Sequence, residues 1–371
     1  MKVKFFLAKP EDKTFSDTWN RELAAHNPEC SLDYLQALIA CEPNREHHYL
    51  VGRGEDGSVA AIAYFSVQTI AFVLGLKVKV LILGGSLSAN AHWVDTAADS
   101  YKNIMRGMLL FCAEHLKYHV VLLKPFEAKK GELSLRSNSQ DLGFINIYAS
   151  TQSEIDLSDF VNYEDYTSTL DKKKRYYLRK IEKDAEAAGL RVEFTEDFGR
   201  YIPEMYPLYR SVAERASEIK EDDPLPAKYF EHLSTLSMLN SKAILARTDG
   251  RIVGFLILME QNAVLWCGPC GIEHASVKRF NTWYVLIYEA IKYGLRSQSK
   301  TIILGTTNYV MKRKFGATRM DLWISLRFRS RTLTQLLAPF IRFWIRQNVF
   351  GGDQPETGVG SLMQSTNNPA H

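Results

Sequence analysis

The chain has 371 residues, enough for two domains or one large one. Hydrophobic residues at 46% and charged residues at 24% describe a globular protein with a real core. A formal net charge of +4 is too mild to argue for nucleic acid from global charge, so such an argument must rest on a local cluster.

Met1–Pro10 carries an early apolar Phe5-Phe6-Leu7-Ala8 but no long apolar core, and does not read as a signal peptide. No uninterrupted apolar run approaches the roughly 20 residues of a spanning helix. Residues 49–53 and 59–68 predict strands around a turn at Glu55-Asp56-Gly57, and Val78–Leu83 is a third apolar run. From 97 to 117 the spacing of Tyr101, Ile104, Met105, Met108, Leu109, Cys112 and Leu116 predicts a helix. Val120–Leu123 reads as a short buried strand, and Gly143-Phe144 leads into another, to about 150.

Asp171 opens a highly charged helix with Lys172, Lys173, Lys174, Arg175, Arg179, Lys180 and Lys183, and Gly189 is its expected C-cap. That face either binds phosphate or a nucleotide, or is simply solvated. Strands 242–247 and 251–260 then flank Asp249-Gly250, and a further strand starts at Ala263. Trp283, Leu286, Ile287, Ala290, Ile291 and Gly294 mark a helix face. Thr301–Leu304 is a buried strand, and Phe315-Gly316-Ala317 leads into a last one to about Phe328. The polar stretch Gly351–His371 predicts a disordered tail.

The second half repeats the first in element order. DGSVAAIAYFSV (56–67) answers DGRIVGFLILME (249–260), the helix-then-VVLL ending answers helix-then-TIIL, and the Gly143 turn answers the Gly316 turn. A repeat of about 180 residues is too long for a solenoid and suggests a duplicated domain. The alternative is a single α+β domain with chance resemblance among short strands.

The stretch LDKKKRYYLRKIEKDAEAAGLRVEF (170–194) resembles the signature of Fem-type peptidoglycan transferases and their FemAB-like and BioF2-like acetyltransferase relatives, which have duplicated GNAT folds. LYRSVAER (208–215), KYFEHL (228–233) and NTWYVLIYEAIKYGL (281–295) with TIILGTTNYVMKRKFGA (301–317) resemble the succeeding helices, strand and turn. The resemblance covers roughly 165–330, with 45–150 as a degenerate first copy. It implies an α+β fold of two tandem GNAT-like domains with mixed central sheets: residues 1–160, then 161–330 carrying the active site, then an amphipathic helix and tail over 331–371.

It also implies acyl transfer from a thioester, usually acyl-CoA, to an amine, without a metal. Aminoacyl-tRNA, the donor of Fem transferases, is the alternative, with the 172–183 helix against its phosphates. Such a reaction needs N–H donors on the carbonyl, donors at a helix N-terminus for pyrophosphate, and a base for the acceptor ammonium. The splayed strands are expected at 251–260 and 263–270. Trp266, Gly268, Lys278, Arg279, Asn281, Thr282 and Asn308 are the expected donor-binding residues, and Arg175, Tyr176 and Lys312 the expected substrate-binding ones. Glu260 is the candidate base or a surface strand-end residue, and Tyr309 the candidate acid for the thiolate or a packing residue. The Gln/Arg-x-x-Gly-x-Gly/Ala loop of simple GNAT enzymes is absent, which leaves the donor open.

Five cysteines, Cys30, Cys41, Cys112, Cys267 and Cys270, are too few and odd for a disulfide framework and imply a reducing cytoplasm. Trp266-Cys267-Gly268-Pro269-Cys270 spells the thioredoxin motif, so a thiol–disulfide oxidoreductase is the reading from another class. It lacks the following helix, however, and reads as a strand end. Cys267, Cys270 and His274 offer three zinc ligands without a fourth. His47-His48 reads as an exposed pair at a loop start. Leu333, Leu336, Leu337, Phe340, Ile341, Trp344 and Ile345 form an apolar stripe beside Arg342 and Arg346. That stripe suits packing on the protein, or a peripheral contact with the inner membrane face through 333–345.

Overall fold

Period-2 and period-3.6 runs become strands and helices in the computed structural model, which describes residues 3–25, 28–71, 77–84, 91–96, 99–127, 139–216, 225–236, 240–306 and 309–348. The first half holds β1 (Lys4–Ala8), α1 (Lys13–Trp19), α2 (Leu32–Cys41), β2 (Glu46–Arg53), β3 (Val59–Ala71), β4 (Lys77–Leu83), β5 (His92–Val94), α3 (Tyr101–His115), β6 (Val120–Glu127) and β7 (Ile145–Asp156). Next come α4 (Tyr163–Ser168), α5 (Lys172–Ala187), β8 (Arg191–Thr195), α6 (Ile202–Ala216), α7 (Ala227–Thr235), β9 (Lys242–Thr248), β10 (Arg251–Gln261), β11 (Val264–Ile272), α8 (His274–Phe280), α9 (Thr282–Arg296), β12 (Thr301–Gly305), α10 (Tyr309–Lys312), β13 (Thr318–Phe328) and α11 (Arg331–Asn348). The charged helix begins where its cap predicts: the Asp171 carboxylate accepts from the Lys174 N–H at 2.8 Å. Gly189, at φ +87°, lies just past its end. The tail 351–371 lies outside the described residues.

The strands join in one mixed sheet of order β1-β2-β3-β4-β6-β13-β7-β12-β11-β10-β9-β8, with β5 on β3. Exchanging each strand for its counterpart (β1 for β8, β2 for β9, β3 for β10, β4 for β11, β6 for β12, β7 for β13) reverses this order onto itself. The two parallel pairs, β4–β6 and β11–β12, occupy equivalent places. Chance resemblance of short strands does not give such an order, so the fold is the duplicated α+β architecture. Each copy's last strand sits beside the other copy's penultimate one: β7 pairs β12, and β13 pairs β6. β7 and β13 pair with each other from Glu154↔Thr318 to Ile145↔Leu326.

A central core joins the copies. Phe15, Trp19, Tyr34, Leu35 and Leu38 from α1 and α2 share it with Phe198, Tyr229, Phe230 and Leu233 and with inward residues of β9 and β10. Tyr34 and Tyr229 hydroxyls hydrogen-bond across it at 2.9 Å, and Gln261 donates to the Ala24 carbonyl at 2.8 Å. On the other face, α3 packs on Leu81, Leu83, Val121 and Leu123 of the first copy, while α5 and α9 pack on the second.

The His47-His48 expectation needs correction. Both lie in β2 and are half-buried, with the His47 ring hydrogen-bonded to the Tyr64 hydroxyl at 2.7 Å. The single stripe expected of the last helix is divided between two sides. Ala338 and Ile341 are buried against Ile145 and Ile147, with Leu337 beside them, whereas Leu333, Leu336 and Phe340 point outward. The side chains of Arg342, Trp344, Ile345 and Arg346 lie outside the described ones. Among the described residues no helix is long and apolar enough to cross a membrane.

Candidate functional site

The parallel partners β11 and β12 pair only at Val264↔Thr301, Leu265↔Ile302 and Trp266↔Ile303. Beyond these, β11 runs on to Ile272 beside β10, and β12 ends at Gly305 beside β7, leaving a mouth between them. Residues 251–260 and 263–270, expected to splay, instead stay paired from Gly254↔Ile272 to Gln261↔Val264. Strands adjacent in sequence stay together here; the diverging strands are the parallel pair, which α8 and α9 connect.

Within β11 a bulge sets Gly268 and Pro269 against Ile257 alone, between Leu256↔Cys270 and Leu258↔Cys267. Proline has no ladder donor to lose at such a place. A Cβ on Gly268 would stand 3.4 Å from the Ile257 carbonyl oxygen. In a regular strand residues three apart face opposite sides. The extra residue puts Cys267 and Cys270 on the same side, against the core beneath α9. The Cys-Gly-Pro-Cys motif therefore belongs to a bulged strand, not a helix start. Burial pushes the Cys267 thiol up to about 12 and raises Cys270 as well, the reverse of the reactive thiolate that redox chemistry uses. Among the described residues no group of three His, Cys, Asp or Glu is placed to hold a metal.

Lys312 occupies this mouth. It is 3% exposed. Its Nζ donates to the Gly305 carbonyl at 3.1 Å. Burial lowers its pKa to about 8, with the Cys267 and Cys270 thiols pulling the other way. Gly305 ends β12 at φ +78°, a backbone that side-chain-bearing residues rarely adopt, and its carbonyl is the one that Lys312 binds. Tyr309, one turn earlier on α10, is half-buried with the Arg319 guanidinium 5.9 Å from its ring centre.

The strand exchange supplies the other flank. Arg319 and Asp321, two apart on β13, pair at 2.7 Å. Arg319 also donates to the Tyr148 hydroxyl at 3.1 Å, and that hydroxyl bonds Thr151 at 2.6 Å. Tyr148 and Thr151 lie on β7, so both copies build this polar shelf. Sequence reasoning missed it; the only local signal was the period-2 spacing of Arg319 and Asp321.

The helix whose face Trp283, Leu286 and Ile287 mark starts at Thr282. The expected donor-binding residues Lys278 and Arg279 lie before it on the two-turn α8, which joins it through Asn281 at φ +54°. Thr282 is fully buried and donates to the Ser276 carbonyl at 3.1 Å, so its side chain tethers α8 rather than meeting a ligand. Lys278 and Arg279 are exposed in the last turn of α8. Lys314 adds a cation there, donating to the Tyr284 hydroxyl at 2.7 Å. The exposed basic start of α5 lies on the helix that packs against α8.

Other expected residues fall elsewhere. Glu260 pairs with Leu265 at the opposite end of β11, accepting from the Tyr293 hydroxyl at 2.8 Å and from Ser299 at 3.3 Å. Three strand residues separate that level from Gly268 at the bulge, roughly 10 Å, so Glu260 lies at the closed end of the β11–β12 pair, away from the mouth. Trp266 packs toward the central core, away from the thiols. Arg175 donates to the Ser168 and Leu170 carbonyls at 2.6 and 2.9 Å, closing the end of α4. Tyr176 is 68% exposed on the basic face. Asn308 lies outside the described residues.

No family model matches the chain, and no curated protein matches it. Solved structures do. FemX aligns with a TM-score of 0.57 at 13% identity, over 91% of this chain and 100% of FemX. A tandem GNAT protein from the clavulanic acid biosynthesis pathway gives 0.57 at 13%, over 89% and 99%. The C-terminal domain of a putative lysylphosphatidylglycerol synthetase from Agrobacterium fabrum gives 0.56 at 12%, over 93% and 98%. The fold is thus a FemAB-like duplicated GNAT architecture over nearly the whole chain.

Proposed function

We propose that the chain is an N-acyltransferase carrying an acyl group from acyl-CoA to an amine, with its chemistry in the second copy. The observation that carries this reading is the mouth between β11 and β12, with the buried Lys312 amine inside it. The resemblance to duplicated GNAT proteins supports acyl-CoA as donor and an amine-bearing small molecule or envelope precursor as acceptor.

The thioester carbonyl enters the mouth beside the bulge. Gly268 keeps an N–H there while Pro269 has none, so Gly268 is the main-chain donor for the developing oxyanion. The acceptor nitrogen attacks the carbonyl carbon, the C–S bond breaks, and the electron pair leaves on sulfur. Lys312, its pKa lowered to about 8, gives a proton to that thiolate near neutral pH. Tyr309 stands one turn away as the second candidate donor. The proton lost by the acceptor nitrogen passes to solvent at the open side. Lys278, Arg279 and Lys314, near the start of α9, face the donor's phosphates, and the Arg319–Asp321–Tyr148 shelf faces the acceptor.

A second reading has an observation of its own. The exposed cations of α5, with Lys278 and Arg279, make a basic surface broader than one pyrophosphate needs, which suits an aminoacyl-tRNA donor. Thermal-shift titration separates the two. Saturable stabilisation by an acyl-CoA, with thiol release when an amine is added, supports the first. Stabilisation by charged tRNA alone, lost as salt rises, overturns it in favour of the second. A cytoplasmic location follows from either donor.

A further inference from the structure

Beyond the mouth, the first copy carries a groove of about 550 Å³ on the outside of the sheet. Val78, Tyr118 and Phe328 lie in its lining, and Leu333 from α11 forms one wall. From that wall the outward side of α11 continues through Leu336 and Phe340; the three are 41%, 72% and 48% exposed. The helix cannot turn this side inward, because Thr334, Ala338 and Ile341 already hold its other side against β7 and β13. Groove and helix make one continuous apolar surface. Solvation of three large side chains at such exposure is costly unless something covers them.

The charges around it point one way. Lys77, Lys79 and Lys117 border the groove on the first-copy side, and Arg329 borders it at the end of β13. Among the described carboxylates near them, Glu46 pairs with Lys79 at 3.0 Å. Lys77, Lys117 and Arg329 are exposed, and Arg329 also donates to the Ala113 carbonyl at 2.9 Å. A helix with an outward apolar ridge beside a cluster of cations fits the boundary between anionic headgroups and acyl chains.

We infer that this surface docks the protein on an anionic lipid bilayer, the α11 ridge entering the acyl boundary and the cations of the groove meeting lipid phosphates. The inference does not depend on the acyl-transfer reading.

The test is sedimentation of the full chain with phosphatidylcholine vesicles containing 30% phosphatidylglycerol, and with phosphatidylcholine alone, at two salt concentrations. Saturable binding to the anionic vesicles, at least tenfold weaker on neutral ones and weakened by salt, is expected. The Lys77→Glu/Lys117→Glu variant loses about fivefold per cation removed, the fold-change equivalent of about 1 kcal/mol. Leu336→Glu/Phe340→Glu removes binding while its melting temperature stays near that of the parent, since both side chains are exposed. No binding by the parent chain, or equal binding by these variants, overturns the inference. So does a dimer in light scattering that Leu336→Glu/Phe340→Glu dissolves, which would make a second copy the occupant. Lipid binding that arises only after residues 349–371 are deleted overturns it too, naming the chain's own end as the cover.

Discussion

Replacing Lys312 with methionine separates what the mouth does for stability from what it does for chemistry. The amine's fall from the ordinary lysine value of 10.5 to about 8 reflects a charge held out of water, worth about 3 kcal/mol. Below pH 8 folded and unfolded chains both carry the proton, and the folded chain bears the full desolvation cost. Between pH 8 and 10.5 the unfolded state holds more protons than the folded one, so stability rises with pH until both are neutral. Methionine keeps the volume, removes the charge and gives up the bond to the Gly305 carbonyl, which costs about 1 to 2 kcal/mol. The variant should therefore be more stable than the parent at pH 7, by about 1 to 2 kcal/mol. That advantage should shrink by about 2 kcal/mol at pH 9.5. Urea unfolding of both proteins at the two pH values measures it; titrating groups that do not interact with Lys312 cancel in the difference. Acyl transfer should fall at least a hundredfold in kcat. Equal pH slopes in the two proteins, or a variant less stable than the parent at pH 7, would refute the reasoning.

Three further expectations follow from placement alone. Cys267→Ser/Cys270→Ser should retain acyl transfer within about threefold, because raised thiols on a strand are packing groups; loss of activity toward a disulfide substrate in this variant would revive the redox reading. Glu260→Gln should leave kcat within twofold while lowering stability by about 1 kcal/mol through weakened bonds from Tyr293 and Ser299; a large kcat loss would mean that the mouth reaches further than β11 and β12 indicate. Gly271→Ala should fail to fold or melt far lower. Its Cβ would stand 2.4 Å from both the Phe255 ring and the Tyr209 backbone nitrogen, where α6 crosses β11; a normal melting curve would show that α6 can lift away.

The strand-and-helix order was legible because β3 and β10, and β6 and β12, are apolar runs bounded by turn residues at equivalent places. What sequence could not tell was which edge each last strand meets. β7 and β13 offer the same main-chain donors and acceptors to either copy's penultimate strand, so the exchange is settled by the whole sheet. The mouth was misplaced for the related reason that β12 lies two helices away from its partner β11. Gly268-Pro269 was read as a strand end; the bulge depends on Ile257 opposite, which no motif records. Lys312 was named from the turn it resembles, but its burial between Gly305 and two thiols required the fold. Arg319 and Asp321 went unnoticed because their partners Tyr148 and Thr151 belong to the other copy.

The exchanged strands also bear on how the chain can be made. When Asp156 leaves a ribosome, β6 and β7 have been synthesised but the strand that lies between them has not. β13 follows about 170 residues later, roughly 10 to 30 s at ordinary elongation rates. For that time the nascent first copy holds two bare strand edges flanking an open slot, the kind of edge that recruits foreign strands. Holding that slot free, by a chaperone or by slow closure of the first core, becomes a condition for a correct product. A split version of the protein would reassemble only if both fragments were present before either slot closed.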